Sequence, residues 1–587
     1  MNPIDLKTII EFKIPGYFER YPTVVSNIIL RLLGKLLHIE EVNRFLSLAE
    51  DKFGIDFIDE LFDHLDFGYL LSSKDRIKIP YEGRLICVAN HPLGALDSLA
   101  LIKAISGVRR DVKIVTNDVL MSIDNLRDLF LPYDLFSNKT QRKHIEGIKE
   151  SLLNEEAVIF FPAAEVSRLS INGIKDKSWQ NGPLYFARKY HTPVLPVFIK
   201  GKNSFPFYAV SLLNKNFSMF MLVHEILNKH SRSITLKIGD PIPEDMFKSN
   251  VINTKFHTRL LKRHVYRLGK NKPGIFKTVR TIIHPIDRKL LKEELAKAQL
   301  LAITSDNKKI FLVDFKTGTN LMREIGRLRE VTFRKVGEGT GLKFDIDEYD
   351  RYYKHVVIWD ESELEIIGSY RLGDATDIMP THGPAGFYNA SLFNFSDDFL
   401  PYLEKSLELG RSFIQQKYWR SNALDLLWQG IGAFLKTKPQ LRYLFGAVSI
   451  SDNYSELAKT LLIYFYKHYF GDPENLAQSK NRFLLTRQQE EEAMQVISGN
   501  DQEQDFRNLK FTLKALGFSV PILFRRYTEL CDGDGVKFLD FGVDENFSNT
   551  VDGLVLVSLD KLKPSKQKRY FGYEDDPQQD TAVDQVD

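Results

Sequence analysis

Residues 85–106 hold the feature that most narrows the folds open to this chain. Leu85-Ile86-Cys87-Val88-Ala89 is a short apolar run, which reads as a buried strand. It ends at Asn90-His91-Pro92-Leu93-Gly94-Ala95-Leu96-Asp97, a tight turn with Pro and Gly, and a helical apolar pattern begins at Leu99. A buried strand that turns directly into a helix is a building unit of an α/β sheet. The turn also brings a His and an Asp to one place. Such a histidine can take a proton from an alcohol while the carboxylate holds the imidazole in one tautomer. A second stretch, Ile159-Phe160-Phe161-Pro162-Ala163-Ala164-Glu165-Val166-Ser167-Arg168, likewise ends a strand with polar groups. Together the two stretches point to acyl transfer to a hydroxyl.

With 587 residues the chain is too long for one core and suits two large domains. A hydrophobic content of 43% and a charged content of 27% describe a globular chain. The formal charge of +3 gives no reason to expect a nucleic-acid partner. Only Cys87 and Cys531 occur, and Cys87 lies in a predicted core strand. That argues for a reducing compartment and against a disulfide framework. The N-terminal residues lack the basic-then-apolar order of a signal peptide. No run reaches the roughly 18 apolar residues of a spanning helix; residues 217–227 come nearest and are broken by His224 and Glu225. The expectation is a cytoplasmic protein, peripheral on the inner face of a bacterial cytoplasmic membrane.

The fold class expected is α/β, built as two unlike α/β domains. Residues 1–75 read as an amphipathic helical region, with Ile28, Leu32 and Leu36 on a face that either docks on a bilayer or packs on the next domain. Residues 76–250 alternate strands and helices. Residues 251–295 are strongly basic and interrupted by Gly269, Pro273, Gly274 and Pro285, which reads as a junction. Its basic face suits anionic lipid head groups, at roughly 1 kcal/mol per surface Lys or Arg, or an acidic carrier protein; a solvated linker flank is the plainer alternative. A second α/β region covers 296–571, with a helix expected over 397–409. The acidic tail, 572–587, reads as disordered. No His, Cys and acid cluster argues for a metal.

Asn90-His91, five residues, then Asp97 resembles the NH-(four residues)-D signature of the glycerolipid acyltransferase superfamily, with one more residue in the spacer. The form NHPxGxxD is similar to a subset labelled hemolysin-like acyltransferases. Phe161-Pro162-Ala163-Ala164-Glu165-Val166-Ser167-Arg168 stands where that family carries FPEGTRS, and Pro193–Val197 matches a later apolar block. Residues 132–138 are the candidate for the remaining block. The resemblance implies His91 as general base, Asp97 orienting it, and Glu165 and Arg168 binding the acceptor's polar head.

The second half resembles the GNAT superfamily, in the branch shared by ornithine-lipid N-acyltransferases and acyl-homoserine-lactone synthases. The residues that carry the resemblance are Arg329 and Phe333, Asp345 and Asp347, Arg371 at the end of a strand, and Glu408-Leu409-Gly410-Arg411-Ser412-Phe413. Leu444–Ser451 reads as the splayed strand beyond. The resemblance suggests Asp345, Asp347 and Glu408 for the ammonium groups of an amino-acid acceptor, Arg371 or Arg411 for positioning, and one acid or a water for removing the amine proton. The usual pyrophosphate loop is not clear: Gln429-Gly430-Ile431-Gly432-Ala433 lies inside a helical pattern. That favours an acyl carrier protein over coenzyme A as acyl donor.

An O-acyltransferase followed by an amino-acid N-acyltransferase resembles the bifunctional ornithine-lipid synthases. That likeness implies N-acylation of ornithine by the second domain and O-acylation of the resulting lyso-lipid by the first, at an anionic membrane surface, without bound cofactors. Glycine or another amino acid, lysophospholipid acylation alone, and a membrane-disrupting protein are the alternatives.

Overall fold

The computed structural model describes residues 7, 16, 18, 23–36, 38–116, 123–132, 141–170, 173–213, 224–226, 232–248 and 253–571. The chain divides into two units, Met1–His284 and Pro285–Asp587. The acidic tail, most of residues 217–227 and residues 133–138 of the candidate block lie outside the described residues.

The first unit opens with helices α1 (Thr23–Leu36), α2 (Ile39–Leu48) and α3 (Gly54–His64). On α1, Ile28 is exposed; the side chains of Leu32 and Leu36 lie outside the described residues. α3 turns Phe57, Ile58 and Phe62 inward, a one-sided helical spacing. The strands that follow are β1 (Phe67–Leu71), β2 (Leu85–Ala89), β3 (Val112–Thr116), β4 (Phe130–Pro132), β5 (Ala157–Phe160), the short hairpin β6 (Arg168–Ser170) and β7 (Gly173–Lys175), then β8 (Val194–Lys200) and β9 (Arg232–Ile238). Seven of them form a sheet in the order β1-β9-β8-β2-β5-β3-β4. All its neighbours are parallel except β8 and β9. The sequence-predicted helical region therefore stops short of residue 75, because Phe67–Leu71 is taken up as an edge strand.

β2 lies mid-sheet and every one of its residues is buried. A strand covered on both faces has no polar side to show, so its sequence is continuously apolar. Helix α4 (Ala95–Ser106) follows directly, and α5 (Gln141–Leu153) and α6 (Gly182–Lys189) complete the crossovers. The carboxyl ends of β2 and β5 thus open side by side, where parallel sheets place their sites.

The segment read as a basic junction is not a separate element. Residues 254–269 form α7 (Thr254–Gly269), which buries His257, Thr258, Leu261, His264 and Val265. Lys262 donates to the carbonyls of Asp176 and Lys177 at 2.7 and 2.6 Å. Charge hid an apolar stripe that belongs to the first unit. Arg288, Lys289 and Lys292 fall in α8 (Arg288–Leu295) of the second unit, where Lys292 pairs with Glu361 at 2.5 Å.

The second unit carries β10 (Gln299–Ile303), β11 (Lys308–Asp314), α9 (Thr319–Val336), β12 (Lys354–Asp360), β13 (Glu365–Asp374), β14 (Phe393–Phe395), β15 (Ser406–Ile414), α10 (Ala423–Lys436), β16 (Tyr443–Ile450), α11 (Glu456–Phe470), β17 (Ala477–Ser479), β18 (Val536–Asp544) and β19 (Thr550–Ser558). Its main sheet runs β10-β11-β12-β13-β15-β16-β19-β18. The helix expected over 397–409 is wrong: only short turns and Leu400–Leu403 are helical, and Glu408 lies on a strand. β15 and β16 are parallel and pair for only three residues, Ser406 to Glu408 against Tyr443 to Phe445. They then part. At the fork a Cβ on Gly446 would lie 2.1 Å from the Leu409 carbonyl oxygen, so only glycine lets the two strands meet there.

Candidate active sites

At the end of β2, Asn90 fixes the strand to its neighbour. Its Nδ2 donates to the Ile199 carbonyl at 2.9 Å and its Oδ1 accepts from the Ile199 N–H at 2.7 Å. His91 follows at once. Its Nδ1 is 2.9 Å from Asp97 Oδ1, while Asp97 Oδ2 accepts the N–H groups of Leu93 and Gly94 at 2.7 and 3.3 Å. Gly94 takes φ 97° and ψ −127°, a conformation open to glycine alone. This is how the longer spacer is absorbed: the turn folds back until the carboxylate at the start of α4 reaches the imidazole.

With Nδ1 against a fully buried carboxylate, Nε2 is the nitrogen left to accept a substrate proton. Burial opposes charge on His91, but the Asp97 carboxylate and, further off, Asp176 outweigh it and lift the pKa above the ordinary histidine value. The ring of Phe161 packs on the imidazole at 4.3 Å between centroids. Beside His91 lies a cavity of about 210 Å³ whose apolar walls include Leu99, Ile114, Phe130, Phe160 and Phe186.

Glu165 and Arg168 are brought close to one another, Nε to Oε2 4.0 Å, and Lys177 lies 3.5 Å from Glu165. Neither lines the His91 cavity; Phe161, Pro162 and Ala164 of the same turn do. The turn is tied to the site through Ser167, whose N–H donates to the His91 carbonyl at 2.7 Å. Asp176, which the sequence reading missed, accepts from the His91 N–H, the Ser167 hydroxyl and the Trp179 indole N–H.

In the second unit the fork between β15 and β16 opens into a cavity of about 480 Å³. Of the residues predicted for this site, Phe333, Arg371, Glu408 and Arg411 line it. A β-bulge aims Arg411: Ser369 faces Phe413 and Arg371 faces Gly410, so β15 has one residue too many. Arg411 takes the left-handed φ of 51° there.

The acids differ from the expectation. Asp345 and Asp347 do not line the cavity but hold arginines. Asp345 lies 3.2 Å from Arg411 Nε, and Asp347 accepts from Arg371 at 2.6 Å. Behind them Arg329, fully buried, donates to Asp350 at 2.9 Å and to His355 Nδ1 at 3.0 Å. Burial and the neighbouring Arg329 push His355 down to about 3, so it is a neutral acceptor. Three arginines thus balance three aspartates. Glu408 is also occupied: it accepts from the Tyr353 hydroxyl, the Tyr388 N–H at 3.1 Å, and the Asn389 N–H at 2.7 Å and amide.

Two acids that the sequence reading did not single out line the cavity instead. Burial raises Asp552 to about 6, and burial together with the Asp552 charge raises Glu338 to about 8. The Arg371 guanidinium lies over the rings of Tyr349, Tyr353 and Tyr388, and its Nη2 is buried without a hydrogen-bond partner. Gln429–Ala433 lies within α10, where Cβ atoms on Gly430 and Gly432 would strike Val356 and the Tyr570 carbonyl. Those glycines serve packing. Among the described residues no group of three or more His, Cys, Asp or Glu is placed to hold a metal.

Residues 13–268 match the Acyltransferase family and residues 328–429 the Acetyltransferase (GNAT) domain family. Glycine N(alpha)-acyltransferase of Bacteroides thetaiotaomicron is 32% identical over 303 residues, 49% of this chain and 89% of that protein. This chain belongs to the glycine N(alpha)-acyltransferase family. It is an acyltransferase with two transferase units. The lyso-glycine lipid O-acyltransferase of the same organism is 29% identical over 273 residues, 45% of this chain and 97% of that protein. The L-ornithine N(alpha)-acyltransferase of Agrobacterium fabrum is 27% identical over 255 residues, 42% of this chain and 76% of that protein. These relatives are, between them, named for both kinds of transfer expected from the two site motifs.

Proposed function

We propose that the second unit joins a 3-hydroxyacyl group to the α-amine of glycine, and that the first unit esterifies the hydroxyl so introduced with a second acyl chain. The observation that carries this reading is the fork cavity, which Arg371, Arg411 and Asp552 line together. A guanidinium pair seats a carboxylate, and a carboxylate seats an ammonium. That is the charge pattern of an amino acid.

Glycine is favoured over ornithine by the balance of the remaining acids. Asp345, Asp347 and Glu408 are committed to arginines or to Tyr353, Tyr388 and Asn389. Glu338, at about 8, holds its proton at neutral pH. Of the acids that line the cavity among the described residues, Asp552 is then the one ionised carboxylate left for an ammonium. The higher identity to the glycine enzyme supports the same choice. An ornithine acceptor requires Glu338 to ionise against its second ammonium.

Glycine has no hydroxyl, so the group that His91 deprotonates comes with the first acyl chain. This fixes the order, N-acylation before O-acylation, and accounts for two transferases in one chain. His91 takes the hydroxyl proton through Nε2, Asp97 stabilises the imidazolium, and the apolar cavity holds an acyl chain. Glu165 and Arg168 meet the lyso-lipid head group. The donor in both steps is an acyl thioester, on an acyl carrier protein in preference to coenzyme A. The lyso-lipid lies in a bilayer, so the enzyme works on the inner surface of the cytoplasmic membrane; no helix among the described residues is long and apolar enough to cross one.

The test is lipid mass spectrometry of a bacterial host without amino-acid lipids, grown on labelled glycine or labelled ornithine. Wild type yields a diacylated lipid carrying the glycine label, and His91→Ala yields its monoacyl form. Label from ornithine alone overturns the choice of amino acid.

A further inference from the structure

The mechanism above leaves one group unassigned: the base that removes the proton from the acceptor's ammonium. The acids named in the sequence are not free for it. Glu408 spends both oxygens on four donors from Tyr353, Tyr388 and Asn389, and Asp345 and Asp347 are each held by arginine.

We infer that Asp552, on the strand beside the fork, is the proton acceptor of N-acylation. The inference rests on the N-acylation reading and deepens it. Asp552, on β19, faces Ser449 of β16 across the β16–β19 ladder, and both residues line the cavity. It is 4% exposed. Its Oδ1 accepts from the Thr550 hydroxyl at 3.0 Å, which fixes the carboxylate without neutralising it. The charged and titratable groups around it are Asp544 on β18, Glu338 after α9, Arg411 on β15 and the Tyr388 phenol. Burial and the Asp544 charge raise its pKa, while hydrogen bonds from Ser449 and Thr550 and the Arg411 charge lower it, leaving it near 6. Such a carboxylate is ionised at pH 7 yet basic enough to accept a proton in the transition state.

In the step, the ammonium gives one proton to the Asp552 carboxylate. The nitrogen lone pair forms the C–N bond at the thioester carbonyl. The tetrahedral intermediate collapses, the C–S bond breaks with its electron pair going to sulfur, and the second nitrogen proton passes to the thiolate. Asp552 returns its proton to solvent after product leaves.

The test uses the full-length enzyme, an acyl-carrier-protein thioester and a panel of amino acids, with product read by mass spectrometry. The acceptor with the highest turnover is carried forward, whichever it is. For Asp552→Asn, kcat falls by about 100-fold or more at pH 7, on top of a rise in KM from the loss of the ammonium's seat. The wild-type acid limb near pH 6 disappears, so that log kcat climbs with pH throughout. Asp552→Glu restores a limb and part of the rate. Thermal melting matched to wild type excludes misfolding as the cause. An Asp552→Asn enzyme that keeps the wild-type limb, or one that loses only affinity, overturns the assignment while leaving glycine N-acylation standing. An acceptor other than glycine overturns the choice of amino acid while the Asp552 comparison proceeds. Absence of any N-acylated product from folded wild type overturns both.

Discussion

Asp97 Oδ1 stands 2.9 Å from His91 Nδ1, and its other oxygen is pinned by the N–H groups of Leu93 and Gly94. One carboxylate therefore holds both the base and the turn that carries it. Asp97→Asn keeps the size but loses the charge that favours the imidazolium. O-acylation falls by about 10²–10⁴-fold, and lyso-lipid accumulates while N-acylation continues. The residual activity also has its acid limb at lower pH, because the charge that lifts the His91 pKa is gone. The folded pKa is raised, so the pair adds stability below the ordinary histidine pKa and loses it as pH rises through the raised value. Both are read from pH–rate and pH–melting curves of wild type and variant.

Gly94 makes that reach possible, at φ 97° and ψ −127°. Gly94→Ala forces a side chain into this region at a cost of about 1–3 kcal/mol. If the turn yields, Asp97 loses its two backbone donors and the His91 contact with them. The expected result is a lower melting temperature for the first unit, together with O-acylation reduced far more than N-acylation.

Much of this architecture is legible in the chain. The buried run Leu85–Ala89 and the turn after it fix the strand, the helix and the His–Asp pair. β15 was not legible, because Glu408 to Phe413 has its polar and apolar residues out of simple alternation. The bulge at Arg411 shifts the phase. The fate of Asp345 and Asp347 was hidden for another reason: which arginine a carboxylate meets is settled by tertiary packing. Asp552 escaped notice because a lone acid before Gly553 looks like the end of a strand, whereas β19 runs through it from Thr550.

Arg329 and Asp350, both fully buried, form the base of the second site. Arg329→Met leaves Asp350 short of a partner and His355 short of a donor. Removing one member of a buried pair costs about 3–5 kcal/mol, and denaturant unfolding of the purified variant reads it. Despite burial, Arg329 and Arg371 hold Asp350 well below the usual carboxylate range. Its stabilising effect is therefore present above the ordinary carboxylate pKa and is lost as pH falls toward the depressed value. Wild type withstands mild acid through this pairing, and Arg329→Met begins to unfold at higher pH.

Gly446 tests the fork itself. β15 and β16 stay together through Glu408 and Phe445 and separate immediately afterwards. A methyl on Gly446 meets the Leu409 carbonyl oxygen at 2.1 Å, a distance that neither backbone tolerates. Gly446→Ala must therefore push Leu409 away and move the bulge that aims Arg411. Glu408, Leu409, Gly410 and Arg411 all line the cavity, so the shift reaches the acceptor's seat. The expected outcome is a raised KM for the amino acid and a lower kcat for N-acylation. O-acylation of supplied lyso-lipid, carried out by His91 in the other unit, stays within about twofold, well under the tenfold that 1.36 kcal/mol of barrier would bring. Equal loss of both activities would show that the substitution unfolds the protein instead of reshaping the fork, and the two steady-state assays on one preparation distinguish the cases.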